Sequence, residues 1–211
     1  MIDLYSFPTP NGKKISVALE ELELPYRAHL VNILEGDQFE PDFLAISPNN
    51  KIPAIVDSDG PGGEPLSLFE SGAILLYLAE KSGRLLPQDA RARHEVVAWL
   101  MFQMGGVGPM FGQASHFTNY APERVPYGIE RYTKEAERLL GVMDRRLDGR
   151  QWLAGDDFSV ADIANYCWVA THSVRTAAAE RWPHVQRWVD RIAARPGVAR
   201  GWTVLEAEAA G

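Results

Sequence analysis

Cysteine is nearly absent from this sequence of 211 residues, since Cys167 is the only one. A lone cysteine cannot form a disulfide within the chain, a Cys-x-x-Cys redox pair or a cysteine-rich zinc site. The five histidines, at positions 29, 94, 116, 172 and 184, also lack the spacing of metal ligands. These absences exclude a disulfide scaffold and a dithiol redox motif, and we expect no bound metal.

Basic residues are also too few to balance the acidic ones, with 21 Lys and Arg against 28 Asp and Glu and a net charge of -7. Because binding to a phosphate backbone needs a basic face, nucleic acid is not expected as a partner. The start of the chain, Met1–Tyr5, lacks the basic and apolar regions of a signal peptide. No apolar run approaches the roughly 20 residues of a membrane span, so we expect a cytoplasmic protein with no membrane partner.

The first 80 residues alternate strand-like and helix-like segments. Their pattern predicts strands at Ile2–Tyr5 and Tyr26–Ile33, a helix between them that Pro25 stops, two hairpin strands at 54–56 and 66–69, and a helix from Ser71 to about Lys81. Nine turn-rich residues separate the two hairpin strands. The predicted order is therefore βαβ followed by ββα.

The remainder of the chain gives helical signals only. Apolar residues recur every three or four positions from Ile129 to Leu147, and further helices are predicted at 159–173 and 182–195. The glycine cluster from Gly105 to Pro109 interrupts one helix or joins two. With a linker at 82–89, we predict an α/β domain at 1–83 and an all-α domain at 90–205.

Pro53 stands directly before the third predicted strand. Because proline has no N–H to donate to a strand ladder, it has to lie at the first position of a strand or at an edge. If its peptide bond is cis, the backbone of Ile52 turns outward and can pair with an extended ligand. Only about 5–6% of such bonds in folded proteins are cis, so an ordinary strand-opening proline is the alternative.

Glu70 and Ser71 lie where the fourth predicted strand gives way to a helix. The first turn of a helix offers unpaired N–H groups and partial positive charge to a carboxylate, while Glu70 can bind an ammonium group. The pair therefore suits the α-carboxylate and α-amine of an amino acid. The alternative is structural, with Ser71 as a helix cap and Glu70 as a favourable charge near the helix dipole.

The whole pattern resembles the glutathione transferase superfamily, over the chain to about Trp202. It consists of βαβ, an Ile-Pro pair before a strand, a hairpin, a Glu-Ser pair that opens a helix, and an all-helical remainder. The stretches at 5–14, 46–53, 108–113 with 116–117, and 126–132 are similar to the bacterial nu class known as disulfide-bond oxidoreductases. The resemblance implies a thioredoxin-like N-terminal domain, an all-helical C-terminal domain and a homodimer. It also implies glutathione as the cosubstrate and glutathione disulfide as the product or a bound ligand.

The resemblance further implies a set of glutathione-binding residues, which are Gln38, Lys51, Ile52, Pro53, Glu70, Ser71 and Arg131. Within this set, Pro53 is the cis-proline, and the main chain of Ile52 pairs with the cysteinyl unit of glutathione. Glu70 and Ser71 hold the γ-glutamyl end. Gln38 and Lys51 lie near the remaining polar groups, and Arg131 reaches in from the helical domain; for these three, a solvated surface side chain is the alternative.

The resemblance puts catalysis in the first loop, where no cysteine occurs. It implies that Thr9 and Asn11 stabilise the thiolate of bound glutathione at the start of the first helix. A hydroxyl donor, an amide N–H and a helix N-terminus can each stabilise such an anion. The alternative is an ordinary strand-to-helix loop in which Asn11 caps the helix.

Three functions are compatible with the sequence. The first is reduction of small disulfides by glutathione without any protein cysteine, and the second is conjugation of glutathione to an apolar electrophile. The third is a non-catalytic glutathione-binding or regulatory protein, since fold alone does not fix function. Outside the site, Ser159 and Asp162 form a capping box that we interpret as structural, and Cys167 is expected to be a buried small apolar residue.

Overall fold

The computed structural model describes residues 1–210, and its contacts divide the chain into two units. The first unit comprises Met1–Arg84 and the chain from Ala194 onward, and the second comprises Leu85–Ala193. The predicted domains, 1–83 and 90–205, would instead leave the last helices with the second domain, and that division stays a prediction.

A four-stranded mixed sheet forms the centre of the first unit, with strand order β2-β1-β3-β4. The strands are β1 at Ile2–Ser6, β2 at Tyr26–Leu30, β3 at Ala54–Asp57 and β4 at Leu66–Phe69. β2 runs parallel to β1, whereas β3 is antiparallel to both β1 and β4. A parallel pair needs a long crossover and an antiparallel pair does not, so the βαβ and ββ connections follow. The predicted order is confirmed.

Three helices complete this α/β part: α1 at Pro10–Leu22, α2 at Pro41–Ile46 and α3 at Ser71–Ser82. α1 ends at Leu22, and its C-cap Glu23 has a left-handed φ of 56°, two residues before the proline that was expected to stop the helix. A 3₁₀ turn at Asp37–Phe39 and the short α2 fill a stretch for which the sequence predicts little regular structure. Six residues are too few to display a helical period.

The second unit is helical throughout. Its helices are α4 at Ala90–Phe102, α5 at Gly108–Ser115, α6 at Pro126–Arg146, α7 at Val160–Val169, α8 at Ser173–Thr176 and α9 at Pro183–Ala193. The glycine cluster joins α4 to α5 through a π-helical segment at Gln103–Val107. Between Leu85 and Ala193 no strand forms, which confirms the all-helical prediction. Within residues 1–210, no helix combines the length and apolarity of a membrane span.

Asp162 organises the start of α7. Its side chain is fully buried, and Oδ1 accepts hydrogen bonds from the Leu153 amide and the Trp188 indole, both at 2.9 Å. Oδ2 accepts from the Ser159 amide and hydroxyl, both at 3.1 Å, which confirms the capping box. Burial raises the pKa of Asp162 to about 6 against the opposing effect of these four donors.

The last two helices, α10 at Pro196–Trp202 and α11 at Glu206–Ala209, belong to the first unit. α10 packs on α1 at glycine positions. A Cβ atom on Gly201 would lie 2.5 Å from the Cα of Val17, and one on Gly197 would lie 2.9 Å from the Cα of Glu21. The two backbones therefore approach so closely that no larger residue fits.

Candidate functional site

The strand register brings the candidate residues of the first unit to one end of the sheet. Ser6 lies opposite Leu30, Tyr5 opposite Ala54, and Ala54 opposite Phe69. The segments that follow β1, β2 and β4 and the segment that precedes β3 consequently meet at this end, which we call the loop end. The candidates on these segments are Thr9, Asn11, Gln38, Lys51, Ile52, Pro53, Glu70 and Ser71.

Thr9 is the N-cap of α1. Its backbone is extended, with φ of -89° and ψ of 166°, and its Oγ1 accepts a hydrogen bond from the Gly12 amide at 3.2 Å. Pro10 takes the first helical position, where a missing N–H costs nothing. Because the cap uses an acceptor lone pair of Oγ1, the hydroxyl proton of Thr9 can still be donated to a ligand.

Asn11 lies in the first turn of α1 and is half-buried, so it does not take the capping position that the structural alternative gave it. Gly12, the next residue, lies against the end of β1. A Cβ there would stand 2.0 Å from the Phe7 carbonyl oxygen and 2.4 Å from Ser6 Oγ. The helix start is therefore held directly against the loop that carries Thr9.

The peptide bond between Ile52 and Pro53 is cis, as the first interpretation of this motif requires. The ladder between β1 and β3 ends at Ala54, so Ile52 and Pro53 lie just beyond it. The Ser47 hydroxyl, fully buried, donates to the Lys51 carbonyl oxygen at 2.8 Å and fixes the approach to this bond. The Lys51 side chain is exposed to solvent.

A small apolar cluster packs against the residues of the loop end. It consists of buried Val31, Phe43 and Ala54, and the half-buried Ile52 side chain packs against it. Since the side chain of Ile52 is anchored in this way, the orientation of its main chain is set by packing.

Glu70 precedes α3 in an unusual conformation, with φ of 71° and ψ of 111°. A non-glycine residue at positive φ costs on the order of 1–3 kcal/mol, and such residues concentrate at functional sites. Ser71 is the first residue of α3 and is 7% exposed. Lys14 of α1, which is 1% exposed, donates from Nζ to Ser71 Oγ at 3.2 Å.

Gln38 follows β2, in the 3₁₀ turn. Its Nε2 donates to the Ile33 carbonyl oxygen at 3.4 Å, whereas its Oε1 is buried and accepts no hydrogen bond from residues 1–210. A buried acceptor without a donor is costly, and such atoms usually have a water or ligand partner. This is the one candidate in the site for which the structure leaves a specific polar atom unsatisfied.

Arg131 belongs to the second unit, where it lies exposed on α6. It lines an open pocket of about 470 Å³ with Met110, Tyr132, Lys134, Glu135 and Arg138. Three of these six side chains are cationic, and two of the three are paired, Lys134 with Glu130 and Arg138 with Glu135.

Sequence reasoning missed three residues that shape the site, namely Gly12, Lys14 and Ser47. A glycine and a serine near a loop carry no specific signal, and a lysine on an amphipathic helix is ordinarily a surface residue. No group of three or more histidine, cysteine, aspartate or glutamate side chains within residues 1–210 is arranged to hold a metal ion.

Comparison with known proteins agrees with this geometry. The family model described as Glutathione S-transferase, N-terminal domain, matches residues 9–81, and that described as Glutathione S-transferase, C-terminal domain, matches residues 128–196. The chain is 53% identical over 209 residues to the Disulfide-bond oxidoreductase YfcG of Escherichia coli, with 99% of this chain and 96% of that protein covered.

Two solved structures extend the comparison. One is a glutathione transferase family member from Pseudomonas fluorescens with two glutathione bound, which has a TM-score of 0.92, 51% identity and coverage of 95% of this chain and 92% of the other. The second is a glutathione transferase from Pseudomonas putida with one glutathione disulfide bound per subunit; its TM-score is 0.92 and its identity 50%, over 96% and 91% of the two chains.

Proposed function

Because this chain belongs to the glutathione S-transferase family, we propose that it binds glutathione at the loop end and uses it to reduce small disulfides. The observation that carries the proposal is the meeting of three features at one end of one sheet: a helix cap with a donatable hydroxyl, a cis Ile-Pro segment and a Glu-Ser helix start. The name of the Escherichia coli relative and the glutathione disulfide in the Pseudomonas putida structure support it.

Each part of glutathione has a complementary group in this proposal. The N-terminus of α3 and the Ser71 hydroxyl bind the γ-glutamyl carboxylate, and the Glu70 carboxylate binds the ammonium group. The main chain of Ile52 pairs with the cysteinyl unit. Gln38 Oε1, which is buried without a donor, accepts an N–H group of the ligand. Lys51 and Arg131 bind a carboxylate or another polar group of the ligand.

Thr9 and Asn11 act on the sulfur. A free thiol with a pKa near 8.5 is only a few per cent ionised at neutral pH, so reaction requires stabilisation of the thiolate. Lowering the thiol pKa by about two units needs roughly 2.7 kcal/mol. Two charge-assisted hydrogen bonds at about 1.5–3 kcal/mol each, from the Thr9 hydroxyl and the Asn11 amide, are sufficient.

The reaction is two successive thiol–disulfide exchanges. The bound thiolate attacks one sulfur of the disulfide, a glutathione–substrate disulfide forms, and the other sulfur leaves as a thiolate that takes up a proton. A second glutathione thiolate attacks the glutathione sulfur of this mixed disulfide, which gives glutathione disulfide and releases the second substrate thiol. Two glutathione molecules supply both electrons. The protein supplies none, in keeping with Cys167, which is 1% exposed within α7.

The test compares Thr9→Val with Thr9→Ser in turnover of a model disulfide. Valine removes the hydroxyl donor and the cap, whereas serine retains both. We expect Thr9→Val to raise the apparent thiol pKa in the pH–rate profile by about one to two units, as the loss of one such bond implies, and to slow turnover at pH 7 by about threefold to 25-fold. Thr9→Ser and Cys167→Ser should retain activity. An unchanged profile in Thr9→Val, or inactive Cys167→Ser protein that still folds, would contradict the mechanism.

The same assay separates the two other functions. Rapid turnover of an aryl halide with none of a disulfide would favour conjugation, and tight binding of glutathione disulfide with no turnover of either would favour a regulatory protein. The nu-class placement and a homodimer form part of the proposal. Light scattering at micromolar concentration tests the dimer.

A further inference from the structure

Lys14 is an unusual residue for the interior of an amphipathic helix. It lies in the second turn of α1, and only 1% of its surface is exposed. Taking an ammonium group out of water costs several kcal/mol even after relaxation. A methionine or leucine would fill the same volume without that cost, so the charge itself calls for an explanation.

The position of the Lys14 ammonium group provides an explanation for its charge. Helical side chains lean towards the N-terminus of their own helix, and Lys14 reaches from α1 to the first residue of α3, where Nζ donates to Ser71 Oγ at 3.2 Å. An ammonium group has three donors and no acceptor. The Ser71 hydroxyl therefore accepts from Lys14 and has to point its own proton away from it.

The charge also adds to that of the helix. The N-terminus of α3 carries partial positive charge, and a buried ammonium group beside it raises the potential further in a medium of low dielectric constant. An anion that binds at this point is stabilised by both contributions. A carboxylate that accepts from the Ser71 hydroxyl would lie in the same field.

We propose that Lys14 is a positioning residue that acts through Ser71 to select ligands carrying a carboxylate at the γ-glutamyl end. The proposal rests on the glutathione binding proposed above. Lys14 does not contact the ligand; it orients the Ser71 hydroxyl and supplies charge behind it.

The experiment is a cycle of two ligands and several proteins, measured by titration calorimetry. The ligands are glutathione and 4-aminobutyryl-cysteinyl-glycine, which lacks only the α-carboxylate of the γ-glutamyl unit. The proteins are the wild type, Lys14→Met, Lys14→Gln, Ser71→Ala and the Lys14→Met/Ser71→Ala double variant. The quantity of interest is the ratio of the two dissociation constants for each protein.

We expect the wild type to bind glutathione more tightly than the analogue. In Lys14→Met the ratio of the two dissociation constants should fall about tenfold, equivalent to about 1.4 kcal/mol. Lys14→Gln should lose a smaller share of the preference, since it can still donate to Ser71 and lacks only the charge. In the Ser71→Ala background, Lys14→Met should change the ratio by much less. Because two neutral replacements are used, a folding defect in one of them does not remove the test.

If Lys14 had a purely structural role, its replacement would weaken the binding of both ligands equally and leave the ratio of dissociation constants unchanged. That result would overturn the proposal while leaving the proposed function intact. An equal loss of preference with and without the Ser71 hydroxyl would overturn the action through Ser71. If the wild type bound neither ligand, the proposed function itself would fail before any variant was compared.

Discussion

The free energy of unfolding should depend on pH through Asp162, because two opposing effects meet at this carboxyl group. Burial disfavours its charge, while the Leu153 amide, the Trp188 indole and the two donors of Ser159 favour it. Burial prevails and raises the pKa from 3.8 to about 6 in the folded protein. Of the four donors, only the Ser159 hydroxyl can also accept a hydrogen bond from the protonated carboxyl group.

The sign and size of this pH dependence follow from the linkage between proton binding and folding. Because the folded pKa lies above the unfolded one, the folded protein binds more protons between pH 4 and 6, and stability falls as pH rises through this window. A difference of about two units corresponds to about 3 kcal/mol at 1.36 kcal/mol per unit. The contribution is complete below the unfolded pKa of 3.8 and is lost above the folded pKa of about 6.

Asp162→Asn isolates this contribution, since the amide does not titrate. Urea unfolding of wild type and Asp162→Asn would be followed by circular dichroism at pH 4 and pH 7.5, at equal protein and salt concentrations. We expect the stability advantage of the wild type over the variant to shrink by about 2.5 kcal/mol between these pH values, slightly less than the full 3 kcal/mol because pH 4 lies just above the unfolded pKa. Asp156→Asn, which removes an exposed carboxylate six residues away, should show no such change. An advantage that grew with pH would mean that the four hydrogen bonds outweigh burial, and the reasoning would be refuted.

Two further predictions concern the second unit and the packing of the chain end. Burial lowers the pKa of His172 below 6.5, so its contribution to stability should be lost as pH falls through 6.5, and His172→Asn should remove this part of the acid sensitivity in the same unfolding assay. Gly201→Ala places a methyl group 2.5 Å from the Cα of Val17, which should cost about 1–3 kcal/mol or more and lower Tm by several degrees. Gly105→Ala, whose Cβ meets no atom within 4 Å, is the matched control; an equal Tm for the two variants would contradict this packing argument.

The sequence predicts the elements of this fold that have a clear apolar periodicity or clear turn residues at their ends. The four strands and α1, α3 and α6 carry regular apolar patterns, and nine turn-rich residues mark the hairpin between β3 and β4. The cap of α1 is less certain from sequence because Thr9 and Asn11 can both cap a helix. Pro10 at the first helical position favours Thr9, and the structure has Thr9 as the cap.

Other features depend on contacts between distant segments and leave no local signal. The burial of Lys14 is caused by the packing of α3 against α1, and a lysine in isolation is read as a surface residue. The glycines of α10 look like helix breakers until α1 is known to lie against them. The polar stretch before Pro53 conceals the buried Ser47, whose hydrogen bond to Lys51 only a three-dimensional structure reveals.

The packing of α10 on α1 bears on how this protein can be made. Ser16 Oγ donates to the Gly201 carbonyl oxygen across 185 residues of sequence. On a ribosome, the side of α1 that packs against α10 therefore stays uncovered until residue 201 has emerged. A fragment that stopped after α3 would expose that side permanently, and a carrier fused rigidly behind α10 would compete for the same space. The first unit is thus the last to be finished.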